Sequence, residues 1–163
     1  MGKTLQALSE SVLGACRTAR LKLATAESCT GGLVAAALTD IAGSSDVVER
    51  GFVTYSNEAK AELLGVPTEM MAAHGAVSAQ VATAMVQGAL SRAPVDLAVA
   101  ITGIAGPDGA TPGKPVGLVY FGIARKGGAA RVERHNYQGD RASIRAAATE
   151  RALELLLEAA GGR

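Results

Sequence analysis

Residues 21–41, LKLATAESCTGGLVAAALTDI, contain the pattern that decides the fold. The run from Leu21 to Ala26 is short and apolar and predicts a buried strand, whereas Leu33 to Ile41 has the apolar spacing of a helix and ends at Gly43. The residues between them, 27–32, are mostly small or hydroxyl-bearing, as in a tight turn. A strand, a tight turn and a helix in succession are typical of α/β proteins.

The same alternation continues on both sides of this unit. Further helices are predicted over 5–21, from the candidate caps Ser56 or Asn57 to 64, over 78–92 and over 142–160, and further strands over 47–55, 95–102, 116–124 and 131–137. Lys126-Gly127-Gly128 predicts a hairpin turn, so the last two strands should run antiparallel. We therefore predict an α/β fold, a three-layer α/β/α sandwich with a mixed, mostly parallel sheet, formed by a single domain over residues 1–163.

Composition excludes several classes of protein. The 163 residues are 48% hydrophobic but only 3% aromatic, so the core should consist of Ala, Val, Leu and Ile. Cys16 and Cys29 are too few for a disulfide framework, and no His-x-x-x-His or Cys-x-x-Cys spacing occurs. We therefore expect neither a metal nor another cofactor.

Charge and hydropathy indicate a cytoplasmic protein that binds neither nucleic acid nor membrane. The 16 Lys and Arg residues nearly cancel the 15 Asp and Glu residues, so no overall basic charge attracts nucleic acid. The first ten residues lack the basic start and apolar run of a secretory signal. No apolar stretch approaches the ~20 residues that span a bilayer.

The turn at residues 27–32 is the first candidate for chemistry, because ligands bind at the carboxyl ends of strands in open α/β sheets. Backbone N–H groups near Thr30 and Gly31, at the start of a helix, can hold an anion or a developing oxyanion. The alternative is that Ser28 or Thr30 is only the N-cap of the following helix.

A second candidate is the loop Thr102-Gly103-Ile104-Ala105-Gly106-Pro107-Asp108-Gly109. Its glycines allow backbone to approach a ligand closely, and phosphate is the usual ligand of such loops. No Gly-Lys-Ser/Thr follows at the spacing of a Walker loop. An ordinary surface loop is the alternative.

Residues 51–60 hold Tyr55 at a strand end and Lys60 one helical turn into the next element. A lysine whose pKa is lowered by burial can activate a neighbouring serine as a nucleophile. The alternative is a solvated lysine on a helix face. Cys29 with His74 would form a thiol amidase pair, although a buried cysteine behind the Ser28 turn is favoured.

Four segments together, residues 24–32, 51–60, 74–78 and 101–107, resemble the CinA C-terminal domain family. The resemblance extends from about Leu5 to Leu157. It implies an α/β/α fold and metal-free hydrolysis of nicotinamide mononucleotide to nicotinate mononucleotide and ammonia, in pyridine nucleotide recycling. It also implies a small-molecule nucleotide as substrate and a homo-oligomer, a dimer or larger.

The resemblance assigns roles to individual residues. Ser28 matches the nucleophile, Lys60 its general base, and Tyr55 a proton-relay or orienting hydroxyl. Arg141, in Gly139-Asp140-Arg141, matches a residue that binds substrate. The predicted substrate-binding residues lie in the two loops and at the end of the Gly139 motif: Thr30, Gly31, Thr102, Gly103, Gly106 and Arg141.

Two other functions remain open: a non-catalytic nucleotide-binding regulatory module, and an amidase for a different substrate. Many members of the family carry an additional N-terminal domain that resembles a molybdopterin-binding fold and is associated with ADP-ribose pyrophosphatase activity. This sequence begins close to the amidase-like domain, so we expect that second activity to be absent.

Overall fold

Five strands form one mixed sheet in the computed structural model, which describes residues 4–162. Their bounds are Leu23–Glu27 (β1), Val48–Val53 (β2), Leu97–Gly103 (β3), Leu118–Arg125 (β4) and Arg131–Asn136 (β5), and their spatial order is β2-β1-β3-β4-β5. β1 pairs in parallel with β2 and β3, whereas β4 is antiparallel to both β3 and β5. Only β4 therefore runs against the others, which confirms the mixed, mostly parallel sheet.

Six α-helices cover the two faces of the sheet in the described part of the chain. They are Leu5–Ala19 (α1), Leu33–Thr39 (α2), Asn57–Leu64 (α3), Thr68–His74 (α4), Ala79–Arg92 (α5) and Arg141–Ala159 (α6). Helices α1, α2 and α6 pack on one face and α3, α4 and α5 on the other, so the predicted three-layer sandwich is confirmed. None of the helices between residues 4 and 162 has the length and apolarity to cross a membrane.

Side-chain caps start the helices where the sequence predicted them. The Oγ atom of Ser56 accepts a hydrogen bond from the N–H of Ala59, and the Oγ atom of Ser78 accepts one from the N–H of Val81. Helix α2 differs, because its N-cap position is Gly32 and offers no side chain. Its capping group comes from the strand before it, as described below.

The two faces of the sheet differ in side-chain size. Alternate residues of a strand point to opposite faces. The face under α1, α2 and α6 carries large apolar residues such as Leu97, Ile101 and Phe121, whereas alanines dominate the face under α5. At Gly122 on this second face, a Cβ atom would lie 2.6 Å from the carbonyl oxygen of Ala82 in α5. Helix α5 therefore packs unusually close to the sheet.

Candidate active site

A cavity of about 250 Å³ lies at the carboxyl ends of β1 and β3. Its walls come from the turn after β1, the start of α3, the glycine loop after β3 and the first residue of α6. A larger cavity of about 510 Å³ lies between α1, α2 and α6, but most of its lining residues are apolar and none is among the residues predicted as nucleophile or base. The polar cavity at the strand ends is therefore the candidate active site.

Ser28 and Lys60 meet at this cavity. Strand β1 ends at Glu27, and the N–H of Ser28 donates to the carbonyl oxygen of Ile101 in the neighbouring strand (2.9 Å), which fixes the start of the turn. The Nζ atom of Lys60 lies 2.9 Å from the Oγ atom of Ser28 and 3.0 Å from the carbonyl oxygen of Thr54. The structure therefore brings together the two residues predicted as nucleophile and base.

Lys60 is a buried lysine, not a solvated one. Only 2% of its surface is exposed. Burial lowers its pKa from the ordinary value of 10.5, because an ammonium ion is less stable away from water. Within residues 4–162 no carboxylate makes an ion pair with it. A lysine in these surroundings is prepared to take a proton from the hydroxyl group that it contacts.

Glu27 caps helix α2 from the end of β1. The side chain is fully buried, and its carboxyl oxygens accept hydrogen bonds from Thr30 Oγ1 (2.7 Å), Val34 N (2.9 Å) and Ala35 N (3.0 Å). A carboxyl group in this position satisfies the free N–H groups of the helix start. Neither Ser28 nor Thr30 caps α2, so that alternative is wrong. Sequence reasoning missed Glu27, although a glutamate that ends an apolar strand was a usable signal.

Thr30 and Gly31 lie in the turn behind the cavity. Thr30 is fully buried with its hydroxyl donated to Glu27, and the N–H of Gly31 donates to the carbonyl oxygen of Ser28 (2.9 Å). Neither residue lines the cavity, and the hydrogen bonds of both stabilise the turn.

The N–H of Cys29 is a further candidate oxyanion donor. The carbonyl of Ser28 points to Gly31, and in a trans peptide the following N–H points the opposite way. Cys29 lines the cavity, and its N–H makes no hydrogen bond to another residue in the described range.

The thiol of Cys29 is a poor nucleophile here. It is 5% exposed, and burial raises its pKa to about 12, so it stays protonated at neutral pH. His74 lies exposed at the end of α4. The alternative of a thiol amidase pair is therefore disfavoured relative to Ser28 with Lys60.

Arg141 and Tyr55 lie together at the mouth of the cavity. The Nη2 atom of Arg141 donates to the hydroxyl oxygen of Tyr55, and its Nη1 atom donates to the carbonyl oxygen of Gly106, both at 2.7 Å. Tyr55 is 61% exposed and is bonded to Arg141, while Ser28 and Lys60 contact each other directly. Of the two roles predicted for Tyr55, the geometry favours orientation over proton relay.

The glycine loop forms the wall opposite the Ser28 turn. Thr102 is buried and donates its hydroxyl to the carbonyl oxygen of Ala76 (2.8 Å), which ties this loop to the segment before α5. Gly103 and Gly106, which were predicted to bind substrate, line the cavity. Among the lining residues that were not predicted as site residues, two carry an amide or carboxyl side chain: Asn57, predicted only as a candidate helix cap, and Asp108.

These groups can carry out acyl transfer. A hydroxyl group hydrogen-bonded to a buried amine, with a backbone N–H beside it, supplies nucleophile, base and oxyanion donor. The guanidinium group at the mouth suits an anionic part of the substrate. Within residues 4–162, no group of three or more His, Cys, Asp or Glu side chains is arranged to hold a metal ion.

Comparison with known sequences matches the chain to one family, and its relatives include proteins of similar length and much longer ones. The model of the CinA C-terminal domain matches residues 5–160. The chain is 53% identical over 152 residues to the nicotinamide-nucleotide amidohydrolase PncC of Escherichia coli K12, covering 93% of this chain and 92% of that protein. It is 55% identical over 140 residues to a CinA-like protein of Citrifermentans bemidjiense, covering 86% of this chain. The chain spans only 34–38% of the length of that protein and of two other curated relatives.

A solved structure has the same fold over nearly its whole length. The competence/damage inducible protein CihA from Agrobacterium tumefaciens superposes with a TM-score of 0.93 and 46% sequence identity, covering 97% of this chain and 96% of that one.

Proposed function

Because the chain belongs to the CinA C-terminal domain family, we propose that it hydrolyses the carboxamide of nicotinamide mononucleotide, yielding nicotinate mononucleotide and ammonia. The observation that carries the proposal is the 2.9 Å contact between Lys60 Nζ and Ser28 Oγ in the cavity at the strand ends. The chain covers 92% of the length of the Escherichia coli relative. That protein is named a nicotinamide-nucleotide amidohydrolase, which supports this choice of substrate. The reaction would serve pyridine nucleotide recycling.

The first half of the reaction forms an ester on Ser28. The neutral amine of Lys60 takes the hydroxyl proton as Ser28 Oγ attacks the carboxamide carbon. The oxygen of the tetrahedral intermediate receives a hydrogen bond from the N–H of Cys29. Lys60 then returns the proton to the departing nitrogen, so that ammonia leaves as the carbon–nitrogen bond breaks.

The second half releases the acid. With Lys60 neutral again, a water molecule takes the place of ammonia, Lys60 accepts its proton, and hydroxide attacks the ester carbon. The Ser28 oxygen leaves and recovers its proton from Lys60. The net reaction consumes one water and one amide and yields one carboxylic acid and one ammonia.

Arg141 is proposed to bind the substrate phosphate. Its guanidinium group lies at the mouth, held between Tyr55 and the carbonyl of Gly106, and can form charge-assisted bonds to phosphate oxygens. Binding energy from a remote phosphate can orient the carboxamide over Ser28 and thereby raise the turnover rate.

The burial of Lys60 argues against a non-catalytic binding module. Placing a lysine where only 2% of its surface is exposed destabilises its charged form. A protein that only binds a nucleotide gains nothing from a desolvated amine that contacts a serine hydroxyl, whereas a hydrolase does. An amidase for another substrate is the second candidate function. Measuring ammonia release from several substrates separates it from the proposed function.

Ammonia release from purified protein is the decisive measurement. Nicotinamide mononucleotide should be a much better substrate than nicotinamide riboside or nicotinamide. Arg141→Ala should cost about 1.5–3 kcal/mol of transition-state binding with the mononucleotide and far less with the riboside, which has no phosphate. Arg134→Ala, which removes an exposed arginine from the edge strand β5, is the matched control. No ammonia from the mononucleotide would exclude the proposed function, and equal losses with both substrates would exclude Arg141 as the phosphate ligand.

A further inference from the structure

Arg145, in α6, donates hydrogen bonds to the backbone of the turn that contains Ser28. Its Nε atom donates to the carbonyl oxygen of Cys29 (3.0 Å) and its Nη2 atom to the carbonyl oxygen of Thr30 (3.1 Å). Arg145 is partly buried and does not line the cavity. One guanidinium group therefore holds two consecutive carbonyls directly after Ser28, from a position outside the cavity.

The two carbonyl contacts fix the orientation of the turn. A peptide group is planar, so a carbonyl that is held in place also fixes the N–H on its other side. Arg145 holds the carbonyls of Cys29 and Thr30 on the α6 side of the sheet, whereas the Oγ atom of Ser28 meets Lys60 from α3 on the opposite side. The Ser28–Cys29 peptide, whose N–H is the oxyanion donor proposed above, is continuous with these two fixed groups.

Glu27 binds N–H groups and Arg145 binds carbonyl groups in and after the same turn. The carboxyl group of Glu27 accepts from N–H groups at the start of α2, while the guanidinium group of Arg145 donates to carbonyls of the turn itself. Hydrogen bonds that involve charged groups are stronger than neutral ones. The turn is thus held from both sides by groups that do not line the cavity.

We propose that Arg145 is a positioning residue of the reaction: by holding the carbonyls of Cys29 and Thr30, it keeps Ser28 Oγ and the N–H of Cys29 aligned on the carbonyl group under attack. This inference rests on the proposed function for its choice of substrate. Its contribution belongs to the turnover rate and not to substrate affinity, because Arg145 has no contact with the cavity.

Three variants test the proposal in the 163-residue chain. Arg145→Met removes the charge and both hydrogen bonds, and Arg145→Lys keeps the charge but not the planar fork that spans two carbonyls. Arg151→Met is the matched control, since Arg151 lies in the same helix and binds Glu133, Glu154 and Glu158 away from the cavity. Unfolding in urea shows how much stability each variant loses.

The expected result is a selective loss of turnover. Misplacing a reacting group by about 1 Å can cost on the order of 100-fold in rate. Arg145→Met should therefore lower kcat by about 10- to 100-fold and change KM by less than about twofold, with Arg145→Lys intermediate. Arg151→Met should retain the wild-type kcat even where its loss of stability is equal or larger. A purely structural arginine would leave kcat of the folded protein at the level of the control, and that outcome would overturn the proposal.

A second readout does not depend on the substrate. A fluorophosphonate forms a bond between its phosphorus and Ser28 Oγ as the phosphorus–fluorine bond breaks, fluoride leaves and the serine proton passes to Lys60. Intact-protein mass spectrometry gives the labelling rate, with Ser28→Ala as the unlabelled control. Slower labelling in the Arg145 variants supports the positioning role even if wild type releases no ammonia, an outcome that would reject only the proposed substrate. Labelling at the wild-type rate in Arg145→Met would reject the positioning role. If Arg145→Met does not fold, Arg145→Lys decides by the same two measurements.

Discussion

Replacing Lys60 by methionine should remove the activity and, at the same time, change how stability depends on pH. Methionine has a similar volume, so it can fill the buried site without an amine. Loss of a general base costs about 100- to 10,000-fold in rate. Ammonia release should therefore fall by at least ~100-fold while the protein stays folded.

The sign of the pH effect follows from the lowered pKa of Lys60. In the unfolded chain Lys60 has its ordinary pKa of 10.5, whereas burial lowers the pKa in the folded protein. Between these two values the unfolded chain binds one more proton than the folded chain, so the free energy of unfolding rises with pH. Below the folded pKa the full cost of burying a cation is present, and above 10.5 it is gone. A single proton gives a slope of at most about 1.4 kcal/mol per pH unit.

Urea unfolding of wild type and Lys60→Met, at a series of pH values between about 6 and about 10, measures this slope. The wild type should gain stability relative to Lys60→Met as pH rises, and its kcat/KM should rise over the same interval because the neutral amine is the active form. Lys126→Met, which removes an exposed lysine in the β4–β5 turn, should follow the wild-type curve in both measurements. Parallel curves for wild type and Lys60→Met, or retained activity in Lys60→Met, would refute the assignment of Lys60 as a buried base.

Three further predictions concern the nucleophile, metals and the helix cap. Ser28→Ala should lower the rate of ammonia release by at least ~100-fold, with Cys29→Ala active, and the reverse pattern would make Cys29 the nucleophile. Excess EDTA should leave the rate unchanged, whereas a loss that a divalent cation restores would contradict the Ser–Lys mechanism. Glu27→Gln should lower the free energy of unfolding in urea by about 1–3 kcal/mol, because an amide has one acceptor oxygen for donors that now share two. An unchanged free energy would show that the Glu27 cap contributes little.

Most of the fold could be predicted from local pattern, and the exceptions have physical reasons. Five helices and five strands were predicted within a few residues of their bounds, because each has an apolar period or a clear cap. Helix α4, Thr68–His74, was missed because seven residues after Pro67 are too few to establish a period. Its stability depends on packing against α3 and α5, which a single segment of sequence does not reveal.

Some residues of the candidate site could be predicted from the sequence and others could not. Ser28 and Lys60 were candidates because a serine and a lysine can form a nucleophile and its base. The resemblance to the CinA C-terminal domain family supplied their roles and that of Arg141, and the fold brings all three to one cavity. Glu27 and Arg145 bind backbone groups, so their residue types alone do not indicate a role in the site. Arg145 nevertheless lies four residues after Arg141 and hence on the same side of the helix, which was a usable signal.

The close packing of α5 makes the active site sensitive to positions that are remote from it. At Gly88 in α5, a Cβ atom would lie 2.0 Å from the carbonyl oxygen of Leu64, the last residue of the helix that carries Lys60. At Gly122, α5 itself rests on the sheet that carries Ser28. The absence of a Cβ atom at these two glycines thus allows α3 to pack closely on α5 and α5 on the sheet, so a larger residue at either position would have to shift the elements that hold Lys60 and Ser28. A random mutational screen for impaired or temperature-sensitive enzyme should therefore recover glycine-to-alanine changes at these two positions, even though neither residue borders the cavity.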